Sequence, residues 1–111
     1  MANPAKRKGD RAERELAALV SELLGVPARR ALGAGRADDV GDIFGIPDTV
    51  LQVCDWQDAT KALRIKPPMA DIQAIDAGAT FSAAAIRLRG GEFRFCMTPD
   101  AYACMWREAT S

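Results

Sequence analysis

Two short apolar runs constrain the fold of this chain more than any other feature. Val50 to Cys54 (VLQVC) is β-branched-rich and apolar, as a central strand is, and Thr80 to Leu88 reads as a second buried strand. In the first run, strand alternation puts Val50, Gln52 and Cys54 on one face and Leu51 and Val53 on the other. A helix is expected between them: Pro67 and Pro68 suit its first turn, it runs over roughly 68–78, and Gly78 closes it. Residues 57–64 read as a separate short helical turn.

The flanking segments complete a single unit. From Asp10, Leu16, Leu19, Val20, Leu23 and Leu24 recur at helical spacing, with Asp10 as cap and Gly25 and Pro27 as the stop. Residues 28–32 read as a short strand, 33–42 (GAGRADDVGD) as a flexible loop, and 42–44 as another short strand turning at 45–48. Gly90-Gly91 forms a tight turn into a hairpin partner over 92–97, and Thr98-Pro99 caps a last helix to about residue 109. The predicted order is α-β-β-β-α-β-β-α, one small α/β domain over 9–111 preceded by a flexible basic arm over 1–8. At 111 residues such a core holds without staples. The three cysteines have no CxxC spacing, and no apolar run reaches a membrane span or a signal peptide. A soluble cytoplasmic protein is expected, a host cytoplasm if the chain is phage-encoded, with no membrane partner.

Composition narrows the chemistry. Histidine is absent, which removes Ser-His-Asp triads, Cys-His pairs and His-ligated metals. The formal net charge is zero, but the charges are segregated. Residues 1–36 hold eight basic and four acidic groups, 37–60 hold six aspartates and no base, and 61–94 hold six basic and three acidic groups. An acidic centre between basic flanks suits a metal-dependent site on a polyanion.

Three features share an order. Gly9-x-x-x-Glu13 heads the first helix, Gly41-Asp42 enters a short strand, and Val50-Leu51-Gln52-Val53-Cys54 follows after a turn. With a basic ARR strand before Asp42, Gln73 on the next helix, and Ile86-Arg87-Leu88-Arg89 ending a later strand, the chain resembles the PD-(D/E)xK nuclease superfamily. Within it the likeness is to the Holliday-junction-resolvase-like branch common in phages, over roughly residues 8–97. The resemblance implies a restriction-endonuclease-like fold, a central mixed sheet flanked by helices. It implies Mg²⁺- or Mn²⁺-assisted hydrolysis of a backbone phosphodiester in branched DNA. Asp42, the Val53 carbonyl and Glu13 would hold the metal, with Asp42, Glu13 and Gln52 in the catalytic set.

The motif departs from the family at two positions. Gln52 stands where an acid is expected and Cys54 where the lysine is expected. Lys61 or Lys66 would have to supply the ammonium, and Asp55 is a spare carboxylate that alternation turns away from Gln52. Lys6, Arg7, Lys8, Arg29, Arg30, Arg36 and Arg87 are the expected DNA contacts. Trp56 is a packing residue or a base-stacking platform. The family likeness implies a homodimer, since two symmetric cuts need two sites, and Tyr102, Met105 and Trp106 on the last helix offer an apolar surface for it. Two rivals stand beside the nuclease. One is a decayed nuclease fold that binds DNA or a host protein without cutting. The other is an interaction domain whose likeness to nucleases is chance.

Overall fold

In the computed structural model, the described residues are 4–30 and 43–111, with side chains from Lys8 onward. They form α1 (Pro4–Leu24), β1 (Arg29–Arg30), β2 (Ile43–Phe44), β3 (Thr49–Cys54), α2 (Ala59–Ala77), β4 (Phe81–Arg87), β5 (Phe93–Cys96) and α3 (Pro99–Thr110). The element order is the predicted one. The five strands make one mixed sheet in the order β1-β2-β3-β4-β5, parallel between β3 and β4 and antiparallel elsewhere.

The parallel pair forms the centre of the domain. Thr49 to Cys54 runs in register with Phe81 to Ile86, and α2 is the crossover between them. Crossover and first helix cover opposite faces. Leu51 and Val53 pack with Ala12, Leu16, Ala17 and Val20 of α1, together with Ile43 and Ala85. Val50 packs with Ala70 and Ala74 of α2, and Cys54 with Ala62, Ala84 and Ile86. Small residues on α2 and β4 let helix and sheet approach closely, so β3 is buried on both sides from Val50 to Cys54.

Polar ties fix the connections. The Thr80 N–H donates to the Asp48 carboxylate at 2.9 Å and the Phe81 N–H to the Asp48 carbonyl at 3.0 Å, so the two parallel strands start level. Hydrogen bonds from Thr80 also hold the Asp48 carboxyl below the usual carboxylate range. Asp71 on α2 accepts from Ser82 of β4 at 2.7 Å and from Thr98 at 2.6 Å. The Thr98 hydroxyl in turn accepts the Ala101 N–H and caps α3, as the Thr-Pro signal predicts.

Two boundaries and the burial of one helix end differ from expectation. Helix α1 begins at Pro4, so residues 4–8, expected in a basic arm, are its first turns. The segment 59–77 is one helix running through Pro67 and Pro68, not a short turn followed by a second helix. Proline leaves the carbonyls of Leu63 and Arg64 without i+4 donors. Both residues are exposed, and the Asp58 cap, the left-handed Gly78 cap and the buried Ala62–Ala70–Ala74 stripe carry the helix across the gap. Leu23 and Leu24 continue the periodic stripe of α1 but lie mostly exposed, beyond the part of the sheet that α1 covers.

Gly45 sits in the turn between β2 and β3 with φ of 94°, and a Cβ there would collide with the Pro27 carbonyl. Gly45→Ala is expected to destabilise the domain by about 1–3 kcal/mol, read from the urea midpoint. A change within experimental error would mean that this turn does not back onto the chain leaving α1.

Candidate nucleic-acid interface

The face assignment of β3 decides where the motif residues go. Gln52 lies on the α2 side, 3% exposed, and its side-chain amide donates to the Gln73 carbonyl oxygen, itself in a residue 7% exposed. That bond pairs the two amides inside the core, where a polar group needs a partner. Cys54 occupies the same face among Ala62, Ala84 and Ile86. Glu13 is on α1, across the sheet, with its carboxylate 3.4 Å from Arg30 Nε.

The basic strand is also engaged. Arg30 donates to Asp10 at 2.8 Å and pairs with Glu13, so this expected phosphate contact is held by two carboxylates of α1. The Arg29 guanidinium stacks over Phe44 at 6.0 Å. Lys61 and Lys66, expected to replace the motif lysine, set their ammonium groups over the Trp56 ring at 5.8 and 5.1 Å. Val53 aligns with Ala85 in the parallel ladder and its side chain joins the α1-side core. Asp42 and Arg36 lie outside the described residues, as do the side chains of Lys6 and Arg7.

The structure does not bring Gln52 and Glu13 of the expected catalytic set together. Gln52 spends its amide on Gln73 inside the core, and Glu13 is on the far side of the sheet in an ion pair. Among the described residues no group of three or more Asp, Glu or Cys side chains is placed to hold a metal ion.

A different cluster forms at the carboxyl ends of the parallel strands, where open α/β sheets commonly bind ligands. There a cleft of about 420 Å³ is lined by Lys8, Asp55, Trp56, Arg87 and Arg89, among others. Its floor is an ion-pair network. Arg87 at the end of β4 donates to Glu15 of α1 at 2.8 Å and lies 3.6 Å from Asp55, which also faces Lys8 at 3.7 Å. The Arg87 hydrogen bond holds the Glu15 carboxyl below its ordinary value, and the same contact raises Arg87. Arg89 at the rim is exposed, and among the described residues it has no ion-pair partner. Trp56 is 38% exposed beside it.

No family model, no curated protein and no solved structure matches this chain.

Of the expected DNA contacts, Lys8 and Arg87 meet at this cleft, joined by Arg89 and by Trp56, over whose ring the two α2 lysines lie. Glu15, Asp55 and Arg89 were not among the expected site residues. The alternation that turns Asp55 away from Gln52 puts it on the Leu51 and Val53 face, and the packing of α1 on that face brings Glu15 into the same network. The arrangement can bind anions through its cations and present an aromatic face. Its carboxylates orient arginine and lysine.

The packing around Cys54 gives a direct check. Restoring the motif lysine by Cys54→Lys would bury an ammonium among Ala62, Ala84 and Ile86. The variant is expected to lose about 3 kcal/mol or more of stability and to gain no nuclease activity. A stable, metal-dependent nuclease on this substitution would contradict the placement of residue 54.

Proposed function

We propose that this protein binds the phosphate backbone of DNA at the cleft formed by the ends of β3 and β4, and does not cut it. The observation that carries the reading is Arg89, exposed at the rim of an open cleft beside Lys8 and Trp56, with Lys61 and Lys66 against the Trp56 ring; Arg87, held by Glu15 and Asp55, forms the floor. Cations on a helix and in a tight turn are suited to phosphates, and the exposed part of Trp56 adds an aromatic surface for an unpaired base. The order of elements, with a parallel β3–β4 pair and a crossover helix, supports a restriction-endonuclease-like fold. The burial of Gln52 and Cys54 supports a nuclease-like scaffold without nuclease chemistry. Branched DNA is the preferred form that the motif resemblance suggests.

Fluorescence anisotropy with a labelled duplex and a four-way junction tests binding. Affinity is expected to fall as salt rises, and Arg89→Ala or Lys66→Ala should weaken it and lower the salt slope by about one each. Incubation of the junction with Mg²⁺ or Mn²⁺ is expected to leave it intact. Cleavage by the wild type that Asp42→Asn abolishes would overturn the proposal in favour of a resolvase-type endonuclease. Affinity independent of salt and of both substitutions would remove DNA as the ligand.

A further inference from the structure

The sheet ends at β5, and the outer side of that strand is open. It is hydrogen-bonded to β4, and among the described residues no backbone group pairs with its other side. The Leu88 N–H donates to the Glu92 carbonyl at 2.8 Å, which makes Leu88 and Glu92 a hydrogen-bonded pair. Hydrogen-bonded and non-hydrogen-bonded pairs alternate along an antiparallel ladder. The register, Arg87 with Phe93 through Ala84 with Cys96, therefore turns the backbone of Arg94 and Cys96 toward β4 and that of Phe93 and Phe95 outward. The Phe93 carbonyl accepts from the Arg94 guanidinium at 3.0 Å, whereas the Phe95 N–H and carbonyl have no partner among the described residues.

Side chains along this edge are sorted by face. Phe93 packs on the α1-side core. Phe95, 49% exposed, lines an apolar groove of about 490 Å³ together with Leu24, Ala83 and Met105. Arg94 is on the other face, exposed, and in no ion pair among the described residues.

We infer that this edge takes an added strand from a partner protein: an extended segment with apolar residues at alternate positions and an acidic residue between them. The outward N–H and carbonyl of Phe95 supply the backbone bonds that any extended segment can use. Alternation then places the segment's side chains. One set falls on the α1 side, where the half-exposed Phe95 ring gives it apolar surface. The other set falls beside Arg94, and an acid there meets a cation that has no ion-pair partner, at the roughly 5 Å of a cross-strand pair. Two copies of β5 paired about Arg94 would instead set like charges opposite each other, which is destabilising. Neither proline nor a bulge interrupts residues 93–96, so the edge lacks those two devices that block strand addition. β5 and the DNA-binding cleft share no residue, and the inference stands independently of the proposed function.

The test is a titration of the ¹⁵N-labelled full chain with a capped peptide of about six residues that alternates valine and glutamate. A peptide alternating valine and lysine is the control. At about 1 mM of the valine–glutamate peptide, solvent exchange of the Phe95 amide is expected to slow at least about threefold. The amides of Arg94 and Cys96, already turned to β4, should change little. Arg94→Glu, at an exposed position, should weaken that peptide at least about fivefold and strengthen the valine–lysine peptide by a similar factor. An unchanged Phe95 amide, or equal binding of both peptides by the wild type, would overturn the inference without recourse to any variant. So would Phe95 protection that rises with protein concentration in the absence of peptide, since it assigns the edge to a second copy. Signals that move at Leu24 and Met105 but not at Phe95 would also overturn it, because the groove alone would then hold the peptide.

Discussion

The parallel pairing of β3 with β4 is the constraint on which the rest of the structure depends. A parallel pair needs a crossover, and α2 supplies it on one face of the sheet while α1 covers the other. Once both faces are buried, the period of two along β3 becomes a sorting rule. Even-numbered residues from Val50 to Cys54 go to α2, and odd-numbered residues from Leu51 to Asp55 go to α1. The positions of the site residues on β3 follow from that sorting. It sends Gln52 to Gln73, Cys54 to a bed of alanines, and Asp55 to the Arg87–Glu15 network.

The same constraint explains why polar groups sit where they do. A glutamine inside the core costs free energy unless its amide is matched, and Gln73 on the crossover helix is the match. Asp71, two residues earlier and at the edge of the same helix, bridges Ser82 and Thr98 and so ties α2, β4 and α3 together. At the opposite end of the strands Arg87 and Asp55, both mostly buried, form an ion-pair network with Glu15 and Lys8 of α1, and Arg89 beyond it is exposed. The interior polar pair is structural, and the end of the sheet is where charge is available to a ligand.

Much of this was legible in the residues, and the limits have physical causes. The order of elements was readable because each has a local signal: the Asp58–Gly78 segment its caps, the 88–93 hairpin its two glycines, α3 its Thr-Pro start. The two faces of β3 were readable from alternation. Which helix each face would meet was not, because that depends on a pairing with residues far along the chain, Thr49 with Phe81 through Cys54 with Ile86. Arg30 reads as a free base in the sequence, and only the packing of β1 against α1 brings Asp10 and Glu13 to it. Periodicity likewise marked Leu23 and Leu24 as apolar-face residues but could not tell that the sheet surface ahead of them would be left open. The motif resemblance puts Glu13 and Gln52 in one catalytic set, whereas the packing sends Gln52 toward α2 and leaves Glu13 on α1.

The most direct measurement of this account is a titration of the ¹⁵N-labelled protein with Mn²⁺, followed by paramagnetic broadening of its amide signals. With Gln52 bonded to Gln73 on one side of the sheet and Glu13 paired with Arg30 on the other, the signals of Gln52, Val53, Gln73 and Glu13 are expected to broaden no more than those of the surface at large. Selective broadening of these four together, at a low ratio of metal to protein, would place one cation among them and contradict the account.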